Sequence, residues 1–245
     1  MLLHGQPGAA RTWRHVAEPL SAHARVIAPD RPGYGGTGGR ALSIAGNAHA
    51  IRALLDRLEL ERAVLVGHSW GGGVAISLAQ SDPDRVAGLV LVCSIGTCSS
   101  VDAVDRVLAR PGVGPALTYG AFRALPRLIP LPVARRFAPG LGNLSEKALR
   151  DLIDPLEERR DWRSFLVEQR ALVREIAGLD DRLEAISAPT RVLIGDKDFL
   201  VPPSVGHELA ARIPGAQTRV VPGAGHVLPA EAPLAICEAT LELTA

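Results

Sequence analysis

One five-residue stretch constrains this chain more than any other. Ala63-Val64-Leu65-Val66 is a run rich in β-branched residues, and it leads directly into Gly67-His68-Ser69-Trp70-Gly71, followed by Gly72, Gly73 and an apolar helical pattern to Gln80. A strand that hands over to a helix within so few residues must lift one side chain clear of a strained turn. The positions two residues to either side must then be small. Gly67 and Gly71 meet that demand, and Ser69 is the residue lifted. It would stand at the N-terminus of the following helix, where exposed N–H groups favour developing negative charge. A phosphate-cradling loop is the competing reading of such a glycine cluster. The lysine that its G-x-x-x-x-G-K-[ST] pattern requires is absent.

The rest of the chain repeats the strand–helix rhythm. Met1 to Leu3, Arg25 to Ala28, Ala63 to Val66, Gly88 to Cys93, Arg191 to Ile194 and Thr218 to Val221 read as strands. Helical patterns cover Arg11 to Ala22, a segment N-capped by Ser43 with Ile51, Leu54, Leu55 and Leu58 on one stripe, Trp70 to Gln80, Ser204 to Arg212, and Glu231 to about Leu243. Continuous apolar strands alternating with helices predict an α/β fold with a mostly parallel sheet covered on both faces. From Thr97 to Leu183 no strand is evident. This proline-punctuated stretch reads as a helical insertion, with Asp161 to Ile176 its clearest helix. The expected organisation is therefore a core of residues 1–96 and 184–245 with a cap of residues 97–183.

Composition removes other classes. At 245 residues with 47% hydrophobic and 22% charged side chains, the chain can bury a substantial core without metals or disulfides. A formal net charge of +1 offers no electrostatic footprint for nucleic acid or an anionic membrane. No apolar run approaches the ~18 residues that span a bilayer. The start lacks the basic-then-apolar pattern of a signal peptide. Three cysteines, Cys93, Cys98 and Cys237, match no zinc spacing and fit thiols of a reducing cytoplasm. A small-molecule substrate is the partner these features leave.

A serine hydroxyl needs a positioned base. Of seven histidines, His226 lies in Gly223-Ala224-Gly225-His226, in the loop after the last strand and at the same sheet end as Ser69. His68 points away from its neighbour on the tight turn and reads as structural support. His15, His23, His49 and His207 fall in or near helix patterns and read as surface residues. The carboxylate that orients the base comes from Gly195-Asp196-Lys197-Asp198, with Asp198, deeper and followed by apolar residues, favoured over Asp196. Two N–H groups must face the developing oxyanion. Trp70, following the nucleophile, supplies one; Gln6, in the turn Leu3-His4-Gly5-Gln6-Pro7-Gly8, supplies the other.

Together with Asp30-Arg31-Pro32-Gly33-Tyr34-Gly35, Asp82-Pro83-Asp84-Arg85-Val86, and Glu231 and Pro233 behind His226, these motifs resemble the α/β-hydrolase superfamily, in its small cap-bearing esterase/peroxidase-like branch. The resemblance covers the core on both sides of the insertion and is specific in motif order. It implies a Ser69–Asp198–His226 triad, no cofactor, and an apolar pocket between cap and core. It also sets apart the start of the chain, because the family carries two strands before the His-Gly loop that are missing here. The strand around Arg25 to Ala28 would then have an unpaired edge. The expectation is a native start farther upstream; cover by another segment or a homo-oligomer is the alternative. Val227 replaces the tryptophan that often follows the histidine in carbon–carbon bond hydrolases. His68 replaces the glycine usual in proline-releasing aminopeptidases, and Ser69 replaces the aspartate of dehalogenases and epoxide hydrolases. The expected activity is a carboxylesterase-like serine hydrolase acting on a small-to-medium apolar substrate, against non-hydrolytic triad chemistry or a receptor of the same fold. Val107, Leu108, Leu117, Phe122, Leu125, Leu128, Ile129, Phe137 and Leu141 are the apolar cap residues from which a pocket lining would be drawn. Arg135, Arg136, Glu157, Glu158, Arg159 and Arg160 are expected to form a solvated face.

Overall fold

A computed structural model describes residues 1–131, 146–157 and 161–244. Five strands, β1 (Leu2–Leu3), β2 (Ala63–His68), β3 (Val86–Val92), β4 (Thr190–Gly195) and β5 (Gln217–Val221), form one sheet in the order β1-β2-β3-β4-β5 with every pairing parallel. Parallel neighbours need crossovers, and helices supply them. These are α1 (Arg14–Ser21), α2 (Ile44–Arg57), α3 (Trp70–Ser81), α4 (Ala103–Leu108), α5 (Val113–Leu128), α6 (Glu146–Glu157), α7 (Asp161–Asp180), α8 (Pro203–Arg212), α9 (Leu228–Glu231) and α10 (Pro233–Leu241). Ser43 caps α2 as its sequence predicts, its side chain accepting from Gly46 N–H at 3.1 Å.

Alternation along the strands divides the core into two layers. On β3, Leu89 and Leu91 join the cluster under α2, α3 and α8, while Val90 and Val92 join the one under α1 and α10. Each fully buried side chain of this size contributes roughly 1.5–3 kcal/mol relative to exposure. The C-terminal half of α7 takes part in the first cluster through Leu172, Ile176 and Leu179. The last helix before β4 is thus anchored in the main core. No described helix is long and apolar enough to cross a membrane.

Three local expectations change. Residues 25–28 are not a strand: Ile27 accepts one backbone bond, from Leu2 N–H at 2.8 Å, and β1 is too short to continue a ladder. The helix expected over Arg11 to Ala22 opens with a 3₁₀ turn, Ala10–Trp13, before α1. The single helix expected from Glu231 is two, α9 and α10, broken at Ala232 (φ −142°, ψ 58°), because Pro233 has no N–H to continue the ladder and forces its predecessor out of the helical region.

Candidate active site

Ser69 follows β2 with φ 53° and ψ −121°, a left-handed φ that non-glycine residues seldom adopt. The surrounding glycines explain how the strain is accommodated. A Cβ on Gly71 would stand 2.3 Å from Leu3 O, and one on Gly67 would stand 2.5 Å from Gly72 Cα. The turn is held by Ser69 N–H donating to Val92 O at 2.9 Å and Gly72 N–H donating to Ser69 O at 2.9 Å.

Asp198 and His226 come from the loops after β4 and β5 and meet in the interior. His226 Nδ1 lies 2.8 Å from Asp198 Oδ2, with both residues buried. Asp198 Oδ1 accepts from Leu200 N–H and Val201 N–H, each at 2.9 Å. Burial pushes the Asp198 carboxyl upward, but His226 and these two N–H groups outweigh it, and its pKa ends below the ordinary value. Asp196, the alternative carboxylate, instead accepts from Gly223 N–H at 2.7 Å, fixing the loop that carries His226.

His68 faces the same place from the other side. Its Nε2–H donates to His226 O at 2.8 Å, and the two rings stand 4.9 Å apart. Burial lowers the His68 pKa to about 3, so the ring is neutral near pH 7. The support role expected of His68 is thus a grip on the His226 main chain.

The Gln6 turn approaches Ser69 closely: a Cβ on Gly5 would stand 3.1 Å from Ser69 Cβ. Among the described residues, neither Gln6 N–H nor Trp70 N–H donates to another backbone carbonyl. A buried guanidinium sets this turn. Arg31 donates to His4 O at 3.0 Å and to Gly5 O at 2.8 Å, pairs with Glu168 of α7, and lies 4.5 Å from the centre of the Trp70 ring. Tyr34 O–H donates to the same Glu168 at 2.7 Å, and His4 Nε2 accepts from Arg31 N–H at 2.9 Å. Burial, then the Arg31 charge, depresses the His4 pKa well below the ordinary range. Sequence reading missed this network. The Asp30-Arg31-Pro32-Gly33-Tyr34 motif marked its near half, but nothing pointed to Glu168.

Ser69, His68, His226, Gln6 and Trp70 line a cavity of about 500 Å³. Of the apolar residues expected to supply a lining, Leu108, Phe122, Leu125 and Ile129 do so. Leu117 and Leu128 are exposed instead, Val107 does not reach the wall, and Phe137 and Leu141 lie outside the described residues. So do Arg135, Arg136, Glu158, Arg159 and Arg160. Phe165, Leu172, Phe199 and Leu200 add to the apolar wall. Asp105 and Asp151 are its carboxylates, and no Lys or Arg lines it among the described residues.

Among the described residues, one group of possible metal ligands is present. Cys93 Sγ, an Asp198 carboxylate oxygen and a His226 ring nitrogen lie within 4.8 Å of one another. Burial, reinforced by Asp198, pushes the Cys93 thiol well above its ordinary pKa, which keeps it protonated, and the carboxylate and imidazole already satisfy each other. Those are the features of a hydrogen-bonded cluster rather than of a preformed ion site.

A parallel α/β sheet with a serine on a strained strand–helix turn, and with an Asp–His pair delivered by the ends of the last two strands, defines the α/β hydrolases as a class. The chain belongs to the alpha/beta hydrolase family, whose family model matches residues 1–239. It is 34% identical over 238 residues to a 2-hydroxy-6-oxononadienedioate/2-hydroxy-6-oxononatrienedioate hydrolase of Paraburkholderia phymatum, covering 92% of this chain and 80% of that protein. An uncharacterised protein of Mycobacterium tuberculosis is 33% identical over 239 residues, covering 92% of this chain and 69% of that one. Among solved structures, a thermophilic esterase from Thermogutta terrifontis superposes with a TM-score of 0.77 at 28% identity, covering 99% of this chain and 88% of that one.

Proposed function

We propose that this α/β hydrolase is a serine hydrolase that cleaves an ester or related acyl bond of an uncharged, small-to-medium apolar substrate. Ser69 attacks the carbonyl carbon while His226 takes the hydroxyl proton. Asp198 holds the imidazole and stabilises its charged form. The N–H groups of Gln6 and Trp70 receive the oxyanion. Collapse expels the alcohol, protonated by His226, and leaves an acyl-enzyme. Water activated by the same imidazole then releases the acid. Residues 97–183 serve as the cap that selects the substrate.

The observation that carries this reading is the buried 2.8 Å Asp198–His226 bond, whose imidazole lines one cavity with Ser69. The choice of an uncharged ester rests on the wall of that cavity. Relatives named for dioate substrates handle dianions. Here the described wall has two carboxylates and no cation to meet one, and burying an unpaired charge costs several kcal/mol. Measuring turnover of neutral aryl esters by purified wild-type and Ser69→Ala protein tests the reading. Loss of turnover in the variant is expected; retention of most of it contradicts the assignment.

A further inference from the structure

Among the described residues, three other than glycine adopt a left-handed φ: Glu59, Ser69 and Cys93. Glu59 is exposed just past the end of α2, and Ser69 is the residue lifted on the strand–helix turn. Cys93, at φ 44°, is buried at the carboxyl end of β3 and has no part in the mechanism above. Such a conformation persists only where its surroundings enforce it, and it clusters at functional sites.

The turn at Cys93 touches all three loops that carry Ser69, Asp198 and His226. Val92 O accepts from Ser69 N–H at 2.9 Å, and Ile95 N–H donates to Ser69 O at 3.3 Å, so the residues flanking Cys93 clasp the main chain of Ser69. The side chain reaches the base loop, where Cys93 S–H donates to Gly225 O at 3.6 Å. The sulfur also lies within 4.8 Å of an Asp198 carboxylate oxygen and a His226 ring nitrogen.

Gly225 is buried, and among the described residues its carbonyl has no other donor. The same oxygen is pressed against β4, since a Cβ on Gly195 would stand 2.3 Å from it. The carbonyls on either side are held too. Ala224 O accepts from Lys197 N–H at 2.9 Å, and His226 O accepts from His68 Nε2–H at 2.8 Å. Three consecutive carbonyls thus fix the main chain at the imidazole, and the thiol supplies the middle grip. A buried carbonyl deprived of its donor is costly, which drives the loop to shift. A thiol suits this place. It shares an apolar cluster with Val92, Leu193 and Ala224, and burial keeps it protonated, so it always has a hydrogen to give.

We propose that Cys93 is a positioning residue of the active site, its thiol holding the Gly225 carbonyl and thereby the placement of the His226 imidazole against Ser69. The proposal rests on the serine-hydrolase reading for the roles of Ser69 and His226. Cys93 lies outside the cavity wall. Its loss should therefore slow the chemical step and leave substrate binding alone.

The acylation rate constant, measured by stopped flow with p-nitrophenyl hexanoate, reads this directly. In Cys93→Ala it should fall by on the order of tenfold, while the half-saturating ester concentration stays within about twofold of wild type. Cys93→Gly, which adopts φ 44° without strain, should lose as much, and this separates loss of the thiol from strain in the turn. Cys93→Ser returns a donor and should recover about threefold or more. A wild-type rate in Cys93→Ala, a loss that Cys93→Ser does not recover, or a change confined to the half-saturating concentration overturns the proposal and leaves the hydrolase reading standing.

A second readout needs no turnover. The Nδ1–H proton between His226 and Asp198 is assigned in the NMR spectrum by its loss in Asp198→Ala. Its exchange with water should be on the order of tenfold faster in Cys93→Ala than in wild type, and slower again in Cys93→Ser. That pattern with no ester hydrolysis by wild type keeps the positioning role and removes the hydrolase reading. Equal exchange in all three proteins overturns the positioning role whether or not esters turn over.

Discussion

His226 Nδ1 and Asp198 Oδ2 lie 2.8 Å apart although 28 residues separate them along the chain. The loop after β4 is fixed by the Leu200 and Val201 N–H groups on Asp198, and the Asp196 bond to Gly223 ties it to the loop after β5. A carboxylate can only accept, so the imidazole presents Nδ1–H toward Asp198.

Asp198→Asn keeps the shape and removes the charge. An amide can offer its NH₂ to Nδ1, which puts the ring proton on Nε2, the wrong side for a base. Ester turnover should fall by roughly 10³–10⁴ while folding persists. Steady-state kinetics alongside circular dichroism checks this.

The depressed pKa of His68 has a consequence for stability. Its folded value is about 3 against an ordinary 6.5. Between those values the unfolded chain binds a proton that the folded one does not, so stability rises with pH at roughly 1.4 kcal/mol per unit for this group. The contribution is complete above pH 6.5 and is lost progressively as pH falls toward 3. The burial that lowers His4 acts with the same sign. Urea unfolding from pH 4 to 5.5 should show a slope shallower by about one proton in His68→Gln than in wild type.

Glu168 ties α7 to the turn that carries Gln6. In Glu168→Gln the fully buried Arg31 guanidinium loses its counter-charge, which costs about 3–5 kcal/mol. Turnover should fall as well, because Arg31 holds the His4 and Gly5 carbonyls. Replacing both members, Arg31→Met with Glu168→Leu, should restore much of the stability but not the turnover. Chemical denaturation and ester assays on the two proteins separate these effects.

Glycines in this fold differ sharply in their tolerance. Gly71→Ala drives a Cβ to 2.3 Å from the Leu3 carbonyl oxygen, which is backbone and cannot yield, so the variant should be insoluble or destabilised by more than about 4 kcal/mol. Gly120, exposed in the middle of α5, has nothing within 4 Å of the point a Cβ would occupy, and Gly120→Ala should gain about 1 kcal/mol. Thermal melts of both, read against wild type, give the two signs.

The parts of this molecule that can be read from its sequence are those dictated by local chemistry. The strand–helix turn at Ser69 announces itself because only small residues fit around it. Asp198 and His226 could be placed because they follow apolar strands whose carboxyl ends must share one edge of the sheet. What escaped depends on how distant surfaces meet. Glu168 is one acidic residue on an amphipathic helix, and it becomes the partner of Arg31 only once α7 lies across the sheet, 137 positions away. The Gln169–Asp105 contact between α7 and α4 is of the same kind. Residues 25–28 misled for the opposite reason: their local pattern suits a strand, but the neighbour is two residues long.

Trapping the covalent intermediate tests the central claim most directly. Wild-type protein mixed with p-nitrophenyl hexanoate and quenched in acid within milliseconds should show the hexanoyl mass on the peptide containing Ser69, in proportion to a burst of p-nitrophenol. The adduct should be absent from Ser69→Ala. Steady ester turnover with no acyl group on that peptide, or with the acyl group on another residue, would contradict nucleophilic attack by Ser69.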